Sequence, residues 1–169
     1  MGIHPQNIGA AMPHGFAGSY ARQPDMIVNT RPGGEEILFG SALKYGDNGT
    51  VLPMGAGDEA GAFVGVAARE TKSALNYLDQ NTGAFAAKDA VSVFQRGAVN
   101  VLCQKGTPQL GGAVYVRVAE NVSYPSAAVG GFEAEADGAN TIQLTNCQWA
   151  GPADVNKVAE LRILTMQSA

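Results

Sequence analysis

The sequence predicts an all-β fold, a sandwich or barrel of about eight or more short strands. Two observations carry this prediction. The 169 residues include 22 glycines and 8 prolines, which favour frequent turns. Apolar runs of strand length recur at roughly ten-residue spacing, and several alternate between apolar and polar positions. A chain of this length makes one domain, which hides about 70% of its unfolded surface on folding.

The first 33 residues fit neither a helix nor a strand pattern. Prolines interrupt every apolar run, at Pro5, Pro13, Pro24 and Pro32. They exclude a regular helix, and the absence of a basic region followed by an apolar core excludes a secretory signal peptide. We therefore predict an extended N-terminal arm over residues 1–33, followed by the β domain over residues 34–169.

The first part of the domain holds short apolar runs separated by glycine-rich turns. The sequence "GDNG" (46–49) predicts a β-turn, because Asp and Asn hydrogen-bond locally and Gly tolerates a positive φ. The sequence "AFVGVAAR" (62–69) predicts a strand lined with small residues. The window "TKSALNYLDQ" (71–80) tolerates a helix, but it is short, so we expect a loop with at most one helical turn.

The clearest strand signal is "DAVSVFQRGAVNVLCQ" (89–104). β-branched residues alternate with other side chains on both sides of Gly97. The central "QRG" is either the tight turn of a hairpin or a bend within one long strand, and both alternatives are open. The sequence "GGAVYVRVAE" (111–120) repeats the alternation and places Tyr115 and Arg117 on the outside.

Two further stretches complete the predicted strands. The sequence "GFEAEADGANTIQLTNCQW" (131–149) predicts two strands joined at "DGAN", and Glu133, Glu135 and Asp137 form a wet face. The sequence "KVAELRILT" (157–165) fits a closing strand at least as well as a helix, with Glu and Arg on its polar side.

The net charge and the cysteine content indicate which kinds of partner the protein binds and in which compartment it is made. The net charge is −4, from 11 basic and 15 acidic residues, which argues against a nucleic-acid partner. No run approaches the ~18 apolar residues of a membrane span, so we expect no membrane partner. Charged residues are only 15% of the chain, which favours a surface partly covered by neighbours. We expect Cys103 and Cys147 to be buried thiols rather than a disulfide, and the protein to be made in the cytoplasm.

The sequence contains no convincing catalytic or metal-binding set. Its two histidines, His4 and His14, both lie in the arm, where a preorganised Ser–His–Asp or Cys–His site is hard to build. A metal-binding barrel needs several histidines on its strands. Adjacent carboxylates such as Asp58 and Glu59 are more simply solvated than catalytic. We predict no enzyme activity, no catalytic residue, no metal site and no cofactor.

Five stretches, taken in order, resemble the structural cement, or capsid decoration, proteins of tailed bacteriophages. They are "GFAGSYAR", "ILFGSAL", "FVGVAARET", "DAVSVFQRGAVNVLC" and "GGAVYVRV". The resemblance runs from about residue 15 to residue 120, with a weaker similarity in "AELRILT". The sequence departs from the family pattern around "TKSALNYLDQNTGAF" and over residues 121–156.

The resemblance implies a small β-barrel or jelly-roll-like domain with an extended N-terminal arm. It implies a non-enzymatic virion protein, made in the cytoplasm of a host bacterium, that sits on the outer surface of the capsid. There it would clasp neighbouring subunits of the major capsid protein, as a small homo-oligomer for which a dimer is favoured over a trimer.

The arm then becomes the predicted capsid-binding segment. The proposed apolar anchors are Phe16, Tyr20 and Met26, and the proposed polar clamps are Arg22 and Arg31. We expect the arm to be mobile in solution and ordered on the capsid. Deletion of residues 1–33 is accordingly expected to leave a folded domain that decorates capsids poorly.

A receptor- or glycan-binding β module of a phage tail or fibre is the alternative function. Such a module needs exposed aromatic side chains on one face. The candidates from loops and strand ends are Tyr77, Phe85, Tyr124 and Trp149.

Overall fold

The computed structural model describes residues 13–69 and 83–166, and the 71–80 window lies outside these residues. The described chain is all-β, and its helical segments are single 3₁₀ turns. Its strands are β1 (Ile27–Pro32), β2 (Ile37–Leu38), β3 (Ala42–Tyr45), β4 (Val51–Pro53), β5 (Gly65–Ala67), β6 (Ala84–Phe85), β7 (Ala90–Leu102), β8 (Val114–Arg117), β9 (Phe132–Glu133), β10 (Thr141–Leu144), β11 (Cys147–Trp149) and β12 (Val158–Ile163).

The strands form three antiparallel sheets. The largest has the order β11-β12-β7-β5-β3-β4, with β1 also paired to β7, and the others are β10-β8-β9 and β2-β6. The sheets of the described residues do not close into a barrel, so the sandwich is the predicted architecture that fits. The larger core joins residues of the two main sheets, and the Phe63 and Phe132 rings meet edge to face there at 6.4 Å between centroids.

Strand β7 is continuous through "QRG", so this segment is not a hairpin. A bulge lies opposite Ile27 and Val28, where the register passes from Arg96 to Phe94. The extra residue reverses the side-chain alternation. Before the bulge Val91 and Val93 pack into the smaller core, and after it Val99 and Val101 pack into the larger one.

Gly97 allows a neighbouring chain segment to approach β7 closely. Its φ is +108°, and a Cβ placed there would collide with the Asp25 carbonyl oxygen. Gly97→Ala is expected to lower the free energy of unfolding by about 2–4 kcal/mol, since backbone strain and overpacking each cost about 1–3 kcal/mol. Chemical denaturation measures this effect.

Gly111→Ala is the matched control for that variant. Gly111 also has a positive φ, of +75°, but a Cβ there would meet nothing within 4 Å. Gly111→Ala should lower the free energy of unfolding only by the cost of backbone strain, about 1 kcal/mol. Equal losses for the two variants would show that the contact with Asp25 is unimportant.

The second half of the predicted arm lies along β7. Gly18 N–H donates to the Asn100 carbonyl at 2.7 Å, and Ala21 N–H donates to the Ala98 carbonyl at 3.0 Å. Strand β1 then continues the antiparallel pairing to Ala90. Residues 18–21 and β1 are thus paired with β7, and the predicted boundary at residue 33 falls after β1. Periodicity missed this segment because β1, with the sequence "IVNTRP", has two adjacent apolar residues followed by exposed ones rather than an alternation, and it ends in Pro32.

Arg117 and Glu133 are buried, which corrects their predicted places on wet faces. Both are 0% exposed. Arg117 donates from Nε to Glu133 Oε1 at 2.6 Å and from Nη2 to Asp137 Oδ2 at 2.8 Å. Strand β8 lies next to β9 in its sheet, so Arg117 and Glu133 on these two strands pair with each other on a face that is buried rather than wet.

The predicted hairpin over residues 131–149 is also wrong in its pairing. Strands β9 and β10 lie on either side of β8 rather than beside each other. The "DGAN" segment contains a 3₁₀ turn, Gly138–Asn140. The closing strand is present as β12, which pairs with both β7 and β11.

Both cysteines are buried free thiols, as expected. Burial raises the pKa of Cys147 to about 12, so this thiol is unreactive at neutral pH. Across residues 13–69 and 83–166, no helix has the length and apolar character needed to cross a membrane.

Candidate functional site

The structure separates the five predicted arm residues into two groups. Tyr20 and Met26 pack against the larger core, and the Tyr20 ring lies 5.6 Å from that of Phe94. Arg22 forms an ion pair with Glu160 of its own domain. Phe16 is 65% exposed, and Arg31 is exposed on β1. The role of all five in capsid binding stays a prediction.

Phe16, Leu38 and Leu102 are exposed apolar side chains, and we call these three residues the apolar patch. Leu38 is 50% exposed and Leu102 is 43% exposed. Both line a shallow groove of about 80 Å³ together with Ala17, which follows Phe16 in the chain. The N-terminal segment, β2 and β7 thus each contribute one large exposed apolar side chain.

Arg69 holds Phe16 at the edge of this patch. Its guanidinium carbon lies 4.6 Å from the Phe16 ring centroid and 5.8 Å from the Phe39 ring centroid. Such cation–π contacts orient the ring while one of its faces stays accessible. The positive charge of Arg69 therefore lies beside the exposed Phe16 ring.

Sequence reasoning missed Leu38 and Leu102. Leu38 lies in the apolar run of "ILFGSAL", where nothing in the sequence distinguishes an exposed leucine from a buried one. Leu102 stands on the side of β7 opposite to Val99 and Val101, where alternation predicts a polar residue. An apolar residue in a polar position was the available signal.

A second cluster of functional interest surrounds Glu160, which is buried on β12. Arg22 donates from Nε to both carboxylate oxygens, at 2.8 and 3.0 Å. Arg162 donates from Nε to Oε1 at 3.2 Å. Burial alone would raise the pKa of Glu160, but the hydrogen bonds from the two arginines outweigh it and hold the pKa below its usual value. The carboxylate is therefore charged at neutral pH.

Two more polar contacts fix the segment that precedes Arg22. His14 N–H donates to Asp154 Oδ2 at 2.8 Å, and Asn100 Nδ2 donates to the His14 carbonyl at 2.7 Å. The backbone of His14 thus links this segment to Asp154 and to Asn100 on β7. The described residues hold no group of three or more His, Cys, Asp or Glu that could bind a metal ion.

A cleft of about 350 Å³ opens beside Glu160. The 22–25 segment and Arg162 form its rim, and Ala98 and Leu164 supply apolar surface. It is at the lower end of the ~300–1,000 Å³ of small-ligand sites. The cleft combines an apolar floor with two guanidinium groups.

The aromatic residues proposed for glycan binding do not form a platform. Trp149 is fully buried and Phe85 is 3% exposed. Tyr124 is half-buried, and its hydroxyl donates to the Gln104 carbonyl at 3.0 Å. Tyr77 lies outside the described residues. The structure thus gives the alternative function no supporting surface in the part that it describes.

An all-β sandwich with an exposed apolar patch is suited to binding another protein surface, and comparison with known proteins assigns it to the structural proteins of a phage capsid. The profile of the XM1 gp53 minor capsid protein family matches residues 6–163. The chain belongs to this family. The resemblance to capsid-associated phage proteins is thereby confirmed, and the protein has a structural role in the capsid of the virion.

A solved structure shares the fold. A chain of "The capsid of Myoviridae Phage XM1" superposes with a TM-score of 0.70 at 15% sequence identity, over 98% of this chain and 99% of that chain. At this identity the likeness shows the fold alone. No curated protein matches the sequence.

Proposed function

We propose that this protein is a cement protein of the phage head. It binds the outer surface of the capsid, clasps neighbouring major capsid subunits and stabilises the shell without enzymatic activity. It acts as a small homo-oligomer, a dimer in preference to a trimer. The observation that carries the proposal is the apolar patch of Phe16, Leu38 and Leu102, exposed on a member of a minor capsid protein family.

The composition of the surface supports this function. Only 15% of the residues are charged, so contact with a partner requires little desolvation of charge. A shell offers many identical sites, and an oligomer that engages two of them gains avidity without strong individual contacts. A patch of three large apolar side chains is sufficient for such a weak repeated contact.

We propose a smaller role for the arm in the capsid contact than the sequence predicts. Tyr20 and Met26 pack against the core of their own domain. The N-terminal segment therefore contributes Phe16 to the capsid contact, together with residues of β2 and β7. Arg31 stands apart on β1, where its guanidinium carbon lies 6.0 Å from the Tyr45 ring centroid. We propose it as a second, separate contact.

Shells that lack the protein provide the direct test. The purified protein is expected to co-sediment with them and to raise their melting temperature. Leu38→Ser and Leu102→Ser should each weaken binding about tenfold, since burying such a side chain contributes about 1.5–3 kcal/mol. Co-sedimentation at graded protein concentrations measures the affinity.

Leu110→Ser is the matched control, because Leu110 is 77% exposed and lies outside the patch. It should bind like the unmodified protein. Failure of the unmodified protein to bind or stabilise shells would contradict the proposed function. Equal binding by the patch variants and the control would show that another surface meets the capsid.

A further inference from the structure

We propose that the cleft beside Glu160 is an acid-binding site, in which Arg22 and Arg162 grip a carboxylate of another capsid protein. The occupant is an extended segment that carries one Asp or Glu next to an apolar side chain. This inference rests on the proposed function and names the chemistry of the partner. Arg22 would bind the partner while it keeps its ion pair with Glu160.

Glu160 is the positioning residue of this site. It is 6% exposed, and it accepts the Nε–H of Arg22 and that of Arg162. One buried carboxylate thus holds two guanidinium groups side by side at the rim of one cleft. Arginine side chains have about 2 kcal/mol of rotamer entropy, and a site that restrains them before binding loses less of it when a ligand arrives.

The remaining donors of both arginines are available. Within the described residues each guanidinium hydrogen-bonds through Nε alone, which leaves the Nη1 and Nη2 groups without a protein partner. A guanidinium carries five N–H donors in a fixed plane, and a pair of parallel donors matches the two oxygens of a carboxylate. The Nη1 and Nη2 groups of the two arginines can therefore donate hydrogen bonds to a carboxylate that approaches from solvent.

The local charge selects a monoanion. Arg22 and Arg162 together carry two positive charges and Glu160 carries one negative charge, so the cluster has a net charge of +1. Asp25, which also lines the cleft, is paired with Arg96 at 3.3 Å. A single carboxylate neutralises the cluster, whereas a phosphate dianion would leave an excess negative charge.

The cleft is larger than a carboxylate group alone would fill. Its volume of about 350 Å³ exceeds that of a carboxylate group, and Ala98 and Leu164 present apolar surface beside the arginines. An apolar side chain beside the acid would cover that surface and exclude water from the ion pairs. A peptide segment meets both requirements.

A peptide titration tests the site without any capsid. Acetyl-Leu-Glu-Leu-amide is added to isotope-labelled protein, and the Nε–Hε resonances of the arginines are followed by NMR. We expect saturable shifts for Arg22 and Arg162, and none for Arg31. The same peptide with Gln in place of Glu should give no saturable shift. Shifts that are absent, or equal for both peptides, overturn the inference.

Shell binding supplies the second readout. Arg22→Gln and Arg162→Gln should each weaken binding to undecorated shells about tenfold or more, since a hydrogen bond to a charged group contributes about 1.5–3 kcal/mol. Lys88→Gln removes the same charge at an exposed turn outside the cleft and should change binding less than twofold. Equal effects of all three variants overturn the site.

The two proposals fail separately. If the unmodified protein does not bind shells, the proposed function fails and the peptide titration alone decides the site. If shells bind normally to both arginine variants and the peptide gives no saturable shift, the site fails and the proposed function stands. Thermal melting of each variant verifies folding, which is expected because both side chains are partly exposed.

Discussion

Arg117→Met is expected to lower the free energy of unfolding by about 3–5 kcal/mol, the usual cost of removing one partner from a buried ion pair. Glu133 is fully buried and receives two hydrogen bonds from Arg117, at 2.6 and 3.1 Å. Without the guanidinium its carboxylate stays in the interior unpaired. Asp137 keeps Lys105 and Asn121 as partners, so the loss centres on Glu133. Urea denaturation at neutral pH measures it.

Two further variants separate the burial of charge from the loss of one side chain. Arg96→Met breaks an exposed ion pair, with Asp25, and should cost less than about 1 kcal/mol. The double variant Arg117→Met with Glu133→Leu removes both buried charges and should recover part of the loss. If Arg117→Met costs no more than Arg96→Met, the buried pair contributes little to the fold.

Removal of residues 1–33 is expected to abolish cooperative unfolding and to yield insoluble protein, which reverses the outcome expected from the sequence. The deletion removes β1 and the hydrogen bonds of Gly18 and Ala21 to β7. It also strips Tyr20, Met26 and Val28 from the larger core. An edge of β7 and apolar core surface would then be exposed, which promotes aggregation. Soluble yield and near-UV circular dichroism provide the measurement.

Point variants in the same segment distinguish its inward and outward side chains. Tyr20→Ala should cost about 2 kcal/mol, part of the ~3–5 kcal/mol of a fully buried aromatic residue. Phe16→Ala should change stability by less than about 1 kcal/mol, because Phe16 is 65% exposed and surface substitutions cost little. A soluble, cooperatively folded deletion variant would show that the segment is an appendage.

The local character of the strands was predictable from the sequence. Alternating β-branched residues in β7 and β8 follow from the pleat of a strand, a property of neighbouring residues. The turn at 46–49 was predictable for the same reason, since Asn48 and Gly49 both adopt the positive φ that this turn requires. Burial of Cys103 also followed from the apolar run that precedes it.

The partners of each strand were not predictable in this way. Alternation places Arg117 and Glu133 on an outer face, but it cannot show that another chain segment covers that face. Nor can it show whether Gly97 turns the chain or allows the 22–26 segment to cross it. Leu102, Glu160 and Arg162 formed no recognisable motif, because residues distant in sequence give them their neighbours.

The sequence by itself determined that this protein is an all-β member of a phage capsid family without an evident catalytic set, because turns, alternation and ordered motifs are properties of the linear chain. Only the tertiary structure decided that β1 and residues 18–21 pair with β7, that the charges of β8 and β9 are buried as a pair, and that Leu38 and Leu102 line one groove beside the N-terminal segment. Those outcomes depend on long-range pairing and on which faces are covered, and neither is encoded within a single stretch of the chain.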